Sequence, residues 1–230
     1  MDGRAGLPAD ADARVSLWAD VFKGEVMSGP RRALVIVDVQ QEYFEGPLAI
    51  AYPPRDESLA RILDALKIAD EFGMPVVAVQ HESAAGSPVF APGSTRQEMH
   101  PALAERLDPK HKRITKRHAS VFDGTDFASW CQQHDIDTIT LVGYMTNNCI
   151  LATAAGAGPY GVSVEVLSDA TGAINLSNEQ GSKPAQQVHE TLMVLLHSNF
   201  AAVTTTAQWS ANVRAKTASA RSNLIVSAGS

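Results

Sequence analysis

The stretch Asp137–Ala157, DTITLVGYMTNNCILATAAGA, decides the reading of this chain. Ile139, Leu141 and Val142 form an apolar run of strand length, Gly143-Tyr144-Met145-Thr146 turns sharply, and small residues from Asn147 onward open a helix. That order places Cys149 on the first helical turn. There, unpaired backbone N–H groups and the positive end of the helix dipole favour a thiolate over a thiol. Thr146, Asn147 and Asn148 are all candidates for the N-cap. A cysteine in such a place also serves as a small buried hydrophobe, so its meaning depends on what the rest of the chain brings to it.

Working outward, the same strand-then-helix alternation recurs. Arg32–Val39, RALVIVDV, is a continuous apolar run of the kind found in strands covered on both faces, broken by one charge, Asp38. Such a carboxylate is a turn former or helix cap, or it stands at the C-terminal edge of the sheet, where ligands bind in open α/β folds. Ser58–Phe72 is an amphipathic helix with Leu59, Ile62, Leu63, Leu66, Ile68 and Ala69 inward and Gly73 past its end. Pro75–Gln80 is a second buried strand, followed by a long connection, Ala84–Pro109, of functional or loose character. Lone His81 and His100 read as hydrogen-bonded loop or surface residues. Arg113–Ala119 is a short polar strand bearing Lys116. Asp123–Asp135 is a helix with Phe127, Trp130 and Cys131 inward and Thr125 or Asp123 as its cap. Val162–Leu167 and Ala201–Thr206 are further strands. Between them, Pro184–Asn199 is a helix with Val188, Leu192, Leu195 and Leu196 inward. Six strands alternating with helices predict a single-domain, three-layer α/β/α fold on a six-stranded parallel sheet. The domain spans residues 31–206. It is preceded by an arm (1–30) whose Val15, Leu17, Trp18, Val21 and Phe22 make an amphipathic stripe. A small-residue tail (207–230) of undefined structure follows.

Composition narrows the function classes. The chain has 230 residues, 45% hydrophobic and 19% charged, with a net charge of −6. That length suits one sizeable core, and the acidic balance argues against nucleic acid or an anionic membrane as partner. The one basic cluster, Lys110-His111-Lys112-Arg113 with Lys116-Arg117, reads as a solvated edge beside a strand. No apolar window reaches the roughly 20 residues of a membrane span. The first residues carry acids where a signal peptide carries bases, and the two cysteines, Cys131 and Cys149, lie far apart. A reduced, cytoplasmic protein is expected. Glycine-rich phosphate loops and CxxC or HExxH metal spacings are lacking, so no cofactor or metal is expected.

In a parallel sheet the strand ends share one crevice, so Asp38, Lys116 and Cys149 are candidates to converge. Cys149 supplies a nucleophile, Asp38 a base for its proton and later for water, and Lys116 the charge that orients both. Backbone N–H groups at Met145 and Cys149 are candidates for an oxyanion hole. The residues expected to meet the substrate are Tyr43, Phe44, His81, Phe122, Tyr144 and Asn148.

The segments IVDVQQEYF, ITKRHASVFDGTDF and LVGYMTNNCILATAAGA, with SDATGAI around Asp169, resemble the isochorismatase-like cysteine hydrolases in order and separation over residues 31–206. The resemblance implies strand order 3-2-1-4-5-6, an Asp38–Lys116–Cys149 triad and a non-proline cis peptide just before Met145. It also implies a homodimer or homotetramer. Nicotinamidases of the family carry Asp-x-His and a further His after the second strand. Here Gln80-His81-Glu82-Ser83 stands instead, which argues against a metal and weakens nicotinamide as substrate. Members that cleave the vinyl ether of isochorismate often lack the cysteine, so Cys149 favours hydrolysis of a small amide or lactam through a thioester. GYMTNNC, VQHES, SPVFAPGS and VLSDATGA are also similar to streptothricin hydrolase-like members, which open a lactam. The alternatives are vinyl ether hydrolysis by Asp38 and a degenerate binding protein.

Overall fold

Strand β1 (Arg32–Val37) is buried along its whole length, and its side chains alternate between two separate cores. Ala33, Val35 and Val37 point to one, Leu34 and Ile36 to the other. A strand apolar on both sides must be sandwiched between helix layers, and the elements that follow supply them. The computed structural model describes residues 29–229, so the amphipathic arm read at Val15–Phe22 lies outside the described residues. In chain order come α1 (Glu42–Glu45), α2 (Arg55–Glu71), β2 (Val76–His81), α3 (Pro101–Ala104), β3 (Lys112–Lys116), α4 (Phe127–Gln133) and β4 (Thr138–Tyr144). They are followed by α5 (Leu151–Gly156), β5 (Ser163–Gly172), β6 (Leu176–Asn178), β7 (Gly181–Lys183), α6 (Ala185–Leu195), β8 (Ala202–Thr204), α7 (Thr206–Ala215) and α8 (Leu224–Ala228).

The main sheet is parallel and ordered β3-β2-β1-β4-β5-β8, which is the expected 3-2-1-4-5-6 arrangement. Phe127, Trp130, Ile150, Ala154, Met193 and Leu196 cover the Val35 face, while Leu59, Ile62, Leu66, Trp209 and Val213 cover the Ile36 face. Each fully buried aliphatic or aromatic side chain contributes about 1.5–3 kcal/mol, so the two cores dominate the stability of the sandwich.

Four local readings change. The connection Ala84–Pro109 is built rather than loose: it holds a helical turn at Thr95–Gln97 and α3, whose N-cap is His100. The strand read as Val162–Leu167 runs on to Gly172 as β5, so Asp169 lies inside it rather than at its end. In α6 the buried face is Ala185, His189 and Met193, continued by Leu196, whereas Leu195 is exposed. The inward stripe is therefore rotated from the one read through Val188, Leu192, Leu195 and Leu196, of which Leu196 alone is fully buried. The stretch after Thr206, left without structure, forms α7. Its fully buried Trp209 donates from Nε1 to Thr140 Oγ1 and to Glu165 Oε2 at 3.0 and 3.1 Å.

Candidate active site

The sheet delivers three side chains to one point from three different strands. Asp38 directly follows β1. Lys116 is the last residue of β3 and stands in register with His81 at the end of β2. Cys149 sits five residues past the end of β4. Gly143, near that end, has φ +102°, and a Cβ there would lie 2.1 Å from the Val37 carbonyl oxygen. Only glycine lets β4 run this close to β1 before the chain turns. The Tyr144–Met145 peptide bond is cis. The chain then makes a single wide π-turn, Thr146–Ile150, before α5 begins. Cys149 lies in that turn rather than in a regular first helical turn. The turn is entered from Met145, with no side-chain cap from Thr146, Asn147 or Asn148.

Asp38, Lys116 and Cys149 are in mutual contact and almost wholly shielded from solvent. Lys116 Nζ lies 2.7 Å from Asp38 Oδ2 and donates to Cys149 Sγ at 3.2 Å and to the His118 carbonyl at 3.1 Å. Neither Asp38 oxygen receives a well-directed hydrogen bond among the described residues; the contact with Lys116 is chiefly one of charge. A buried carboxylate left in this state is costly, and it is free to receive a proton from a neighbour.

The electrostatics differ from the sequence expectation at Cys149. Burial first, and the Asp38 charge second, push its thiol up to about 12 against the pull of Lys116. The resting group is a thiol, not a thiolate. Burial also raises Asp38 above the ordinary aspartate value, with Lys116 opposing. Burial works against the Lys116 ammonium too, but Asp38 and Cys149 outweigh it and its pKa rises. With Lys116 raised and the Cys149 thiol pushed up to about 12, the site pairs an ammonium with a protonated sulfur, and the Asp38 carboxyl lies beside both.

The other expected residues divide. His81 Nδ1 is 3.3 Å from Lys116 Nζ, and burial, with Lys116 and His118 adding to it, lowers its pKa to about 4. Its ring is therefore neutral, and with Nδ1 accepting from Lys116 the proton sits on Nε2. His81 also lines an open cleft of about 570 Å3 with Glu82, Ser83, Ala84, Pro92 and Arg117. It thus stands between the triad and solvent. Tyr43 is buried against Phe90 and Tyr144, with ring centroids 5.3 and 5.6 Å away. Phe44 packs on His100 at 4.3 Å. Tyr144 is fully buried with its hydroxyl 2.8 Å from Ser58 Oγ, so it wedges the fold. Phe122 is stacked on Tyr160 at 4.6 Å within the helix layer. Asn148 is exposed, whereas its neighbour Asn147 has a buried Oδ1 without a partner among the described residues.

Three further contributors had no such role assigned to them from the sequence, where Gln40 read only as a residue that could wall a pocket and Thr146 and Asn147 only as cap candidates. Gln40, fully buried, bonds the His81 N–H through Oε1 and the carbonyls of His81 and Gln97 through Nε2, tying the end of β2 to the following connection. A glutamine directly after an apolar strand was the available signal. Asn147 and the buried pair Thr146–His189 left none in composition. Cys131 is buried in α4 as expected, and burial lifts its thiol to about 11.

Residues 32–208 match the isochorismatase domain. The chain belongs to the isochorismatase family. A crystal structure of an isochorismatase-like protein from Burkholderia xenovorans LB400 superposes with a TM-score of 0.85 at 44% identity, covering 87% of this chain and 96% of that one. The uncharacterized isochorismatase family protein YddQ of Bacillus subtilis is 29% identical over 177 residues, 76% of this chain and 96% of YddQ. The nicotinamidase/pyrazinamidase of Mycobacterium tuberculosis is 28% identical over 166 residues, 63% of this chain and 88% of that protein. With Asp38, Lys116 and Cys149 in contact, this isochorismatase-family chain is a hydrolase carrying a triad-like arrangement. Among the described residues no group of three or more His, Cys, Asp or Glu is placed to hold a metal ion. None of the described helices is long and apolar enough to cross a membrane.

Proposed function

We propose that the chain hydrolyses a C–N bond of a small amide or lactam through a thioester on Cys149. The observation that supports this is the sealed contact of Sγ, Nζ and the Asp38 carboxylate, at 3.2 and 2.7 Å. The carbonyl enters past His81, whose Nε2–H offers a hydrogen bond at the mouth. As Sγ bonds to the carbonyl carbon, its proton passes to Asp38 and the π pair moves onto oxygen, held by the Met145 and Cys149 amides. Collapse breaks the C–N bond, and Asp38 returns the proton to the departing nitrogen. Water then gives Asp38 a proton as its oxygen attacks the thioester, and the acid leaves as Sγ recovers that proton. Lys116 stays an ammonium throughout and balances the negative charge wherever it sits.

Vinyl ether hydrolysis needs Asp38 alone and leaves the Lys116–Sγ contact unused. A lactam of the streptothricin type belongs among the first compounds to try because of the GYMTNNC likeness. The same proposal includes a homodimer or homotetramer, supported by the exposed apolar residues Val194, Leu224, Ile225 and Val226. A panel of primary amides, cyclic ureas and lactams, followed by amine or ammonia release and by the intact mass of the enzyme, tests the reading. An acyl adduct on wild-type protein that is absent from Cys149→Ala is expected. Undiminished turnover in Cys149→Ala would overturn it.

A further inference from the structure

The π-turn Thr146–Ile150 is gripped from behind. Thr146 is fully buried, and its Oγ1 lies 3.0 Å from Nδ1 of His189, itself only 3% exposed. His189 occupies the middle of the buried face of α6, between Ala185 and Met193. The Ser168 backbone in β5 also bears on the ring and favours its charged form, as a carbonyl facing a ring N–H does. A carbonyl can only accept, so Nε2 carries the proton, Nδ1 is left as an acceptor, and the Thr146 hydroxyl must donate to it. One imidazole thereby joins α6, β5 and the first residue of the turn that carries Cys149.

Resting on the hydrolase reading above, we infer that His189 is a positioning residue. By accepting the Thr146 hydroxyl it fixes the entry of the turn, and so the direction of the Met145 and Cys149 amides that receive the carbonyl oxygen. Thr146 cannot serve the substrate oxygen itself, because its only proton is committed to Nδ1. The grip holds only while the ring is neutral. Burial keeps His189 below the ordinary histidine range. The groups around it offer little to charge it. Glu190 on its own helix is engaged by Tyr52 Oη and Gln186 Nε2 at 3.3 and 2.9 Å. The Tyr52 ring meets the imidazole edge-to-face, with centroids 5.6 Å apart. Asp169, beside Ser168, gives its carboxylate oxygen to the N–H and hydroxyl of Thr206. As pH falls through its lowered pKa, protonated Nδ1 ceases to accept and the turn is released.

Carbonyl-13C benzaldehyde tests this without a known substrate. Its addition forms an Sγ–C bond, places the carbonyl π pair on oxygen at the turn amides and moves the thiol proton to Asp38; NMR reports the thiohemiacetal. Loss of one buried hydrogen bond predicts about tenfold weaker adduct formation in His189→Leu. Thr146→Val should lose a similar factor, and the double variant should lose no more than either single one, as coupled partners do. His189→Asn, whose Oδ1 falls where Nδ1 stands, should restore affinity to within about threefold of wild type at pH 7. Its acid-side decline should also become shallower than in wild type, with only the Asp38 contribution remaining. Wild-type affinity in Thr146→Val, multiplying losses in the double variant, or an unchanged acid limb in the Asn variant would overturn the inference. Thr146→Val carries the test if His189→Leu does not fold. Absence of any wild-type adduct would instead sink the cysteine mechanism on which the inference rests.

Discussion

Lys116→Met keeps most of the aliphatic arm and deletes the ammonium. In the native site Nζ stands 2.7 Å from Asp38 Oδ2, with neither side chain exposed. At an effective dielectric of about 20, charges at that separation attract by about 6 kcal/mol. Solvent cannot replace that partner, and breaking one side of a buried pair costs about 3–5 kcal/mol. Asp38 has one escape, which is to bind a proton. Burial already raises its pKa and Lys116 holds the rise down, so in the variant the rise is unopposed. A carboxylate with a folded-state pKa above its unfolded value favours folding at acid pH and loses that advantage as pH rises through the folded value. The variant should therefore melt near the wild-type temperature at pH 4. At pH 8 it should melt about 6–20 °C lower, from 2–4 °C per kcal/mol in a domain of this size. Its Cys149, already pushed up to about 12, loses its counter-charge, so iodoacetamide labelling should need still more alkaline solution. An equal melting deficit at both pH values, or an unchanged labelling profile, would refute the reasoning.

Asp38→Asn should bind substrate within a few-fold of wild type and lose about 10²–10⁴ in kcat; loss in KM alone would place the base elsewhere. Cys149→Ser should leave no acyl adduct by mass spectrometry, since among the described residues no histidine bonds the side chain at 149 and could activate a hydroxyl there. Gly143→Ala should express poorly or melt far below wild type, because its Cβ would meet the Val37 carbonyl oxygen at 2.1 Å with φ at +102°. Glu165→Gln should destabilise by about 3–5 kcal/mol in urea melts without changing KM, because it strips the charge from Arg32's buried partner.

The fold was legible because the central strands are plain apolar runs with chemically distinct ends, Asp38, His81 and the Gly143 turn, while the short polar strand β3 ends in Lys116. Alternation of such runs with helical stripes leaves few topologies. The failures have physical causes. In α6 the run Leu192-Met193-Val194-Leu195-Leu196 is apolar all round, so periodicity cannot choose a face. Burial of His189 chose it, and that rests on acceptor and donor groups far away in sequence. The helix α7 was overlooked because its anchoring depends on Glu165. That carboxylate, held bidentately by Arg32 at 2.9 and 2.8 Å, also accepts from the Trp209 and Ser219 side chains. Long-range satisfaction of a buried charge leaves no local pattern. The thiolate expectation failed for a related reason: the helix-start argument ignores desolvation, and at 2% exposure desolvation is the larger effect.

Strand order explains why the middle member of the triad is a lysine. β3 and β1 are separated by β2, and strands lie about 4.8 Å apart, so the backbones bearing Lys116 and Asp38 are roughly 10 Å from each other. The cation must travel most of that distance within the buried edge of the sheet. A lysine stem does so with methylenes that need no partners, ending in three donors that point in different directions. Those donors find Cys149 Sγ, the His118 carbonyl and His81 Nδ1, with Asp38 Oδ2 at charge-contact distance. A guanidinium would fill the same space with a planar fork that engages both carboxylate oxygens in a bidentate pair, leaving fewer lone pairs for the thiol proton. The ammonium, by contrast, contacts Asp38 through Oδ2 alone and leaves Oδ1 without a partner among the described residues. That leaves the carboxylate both ionised enough to persist and unbonded enough to act as a base.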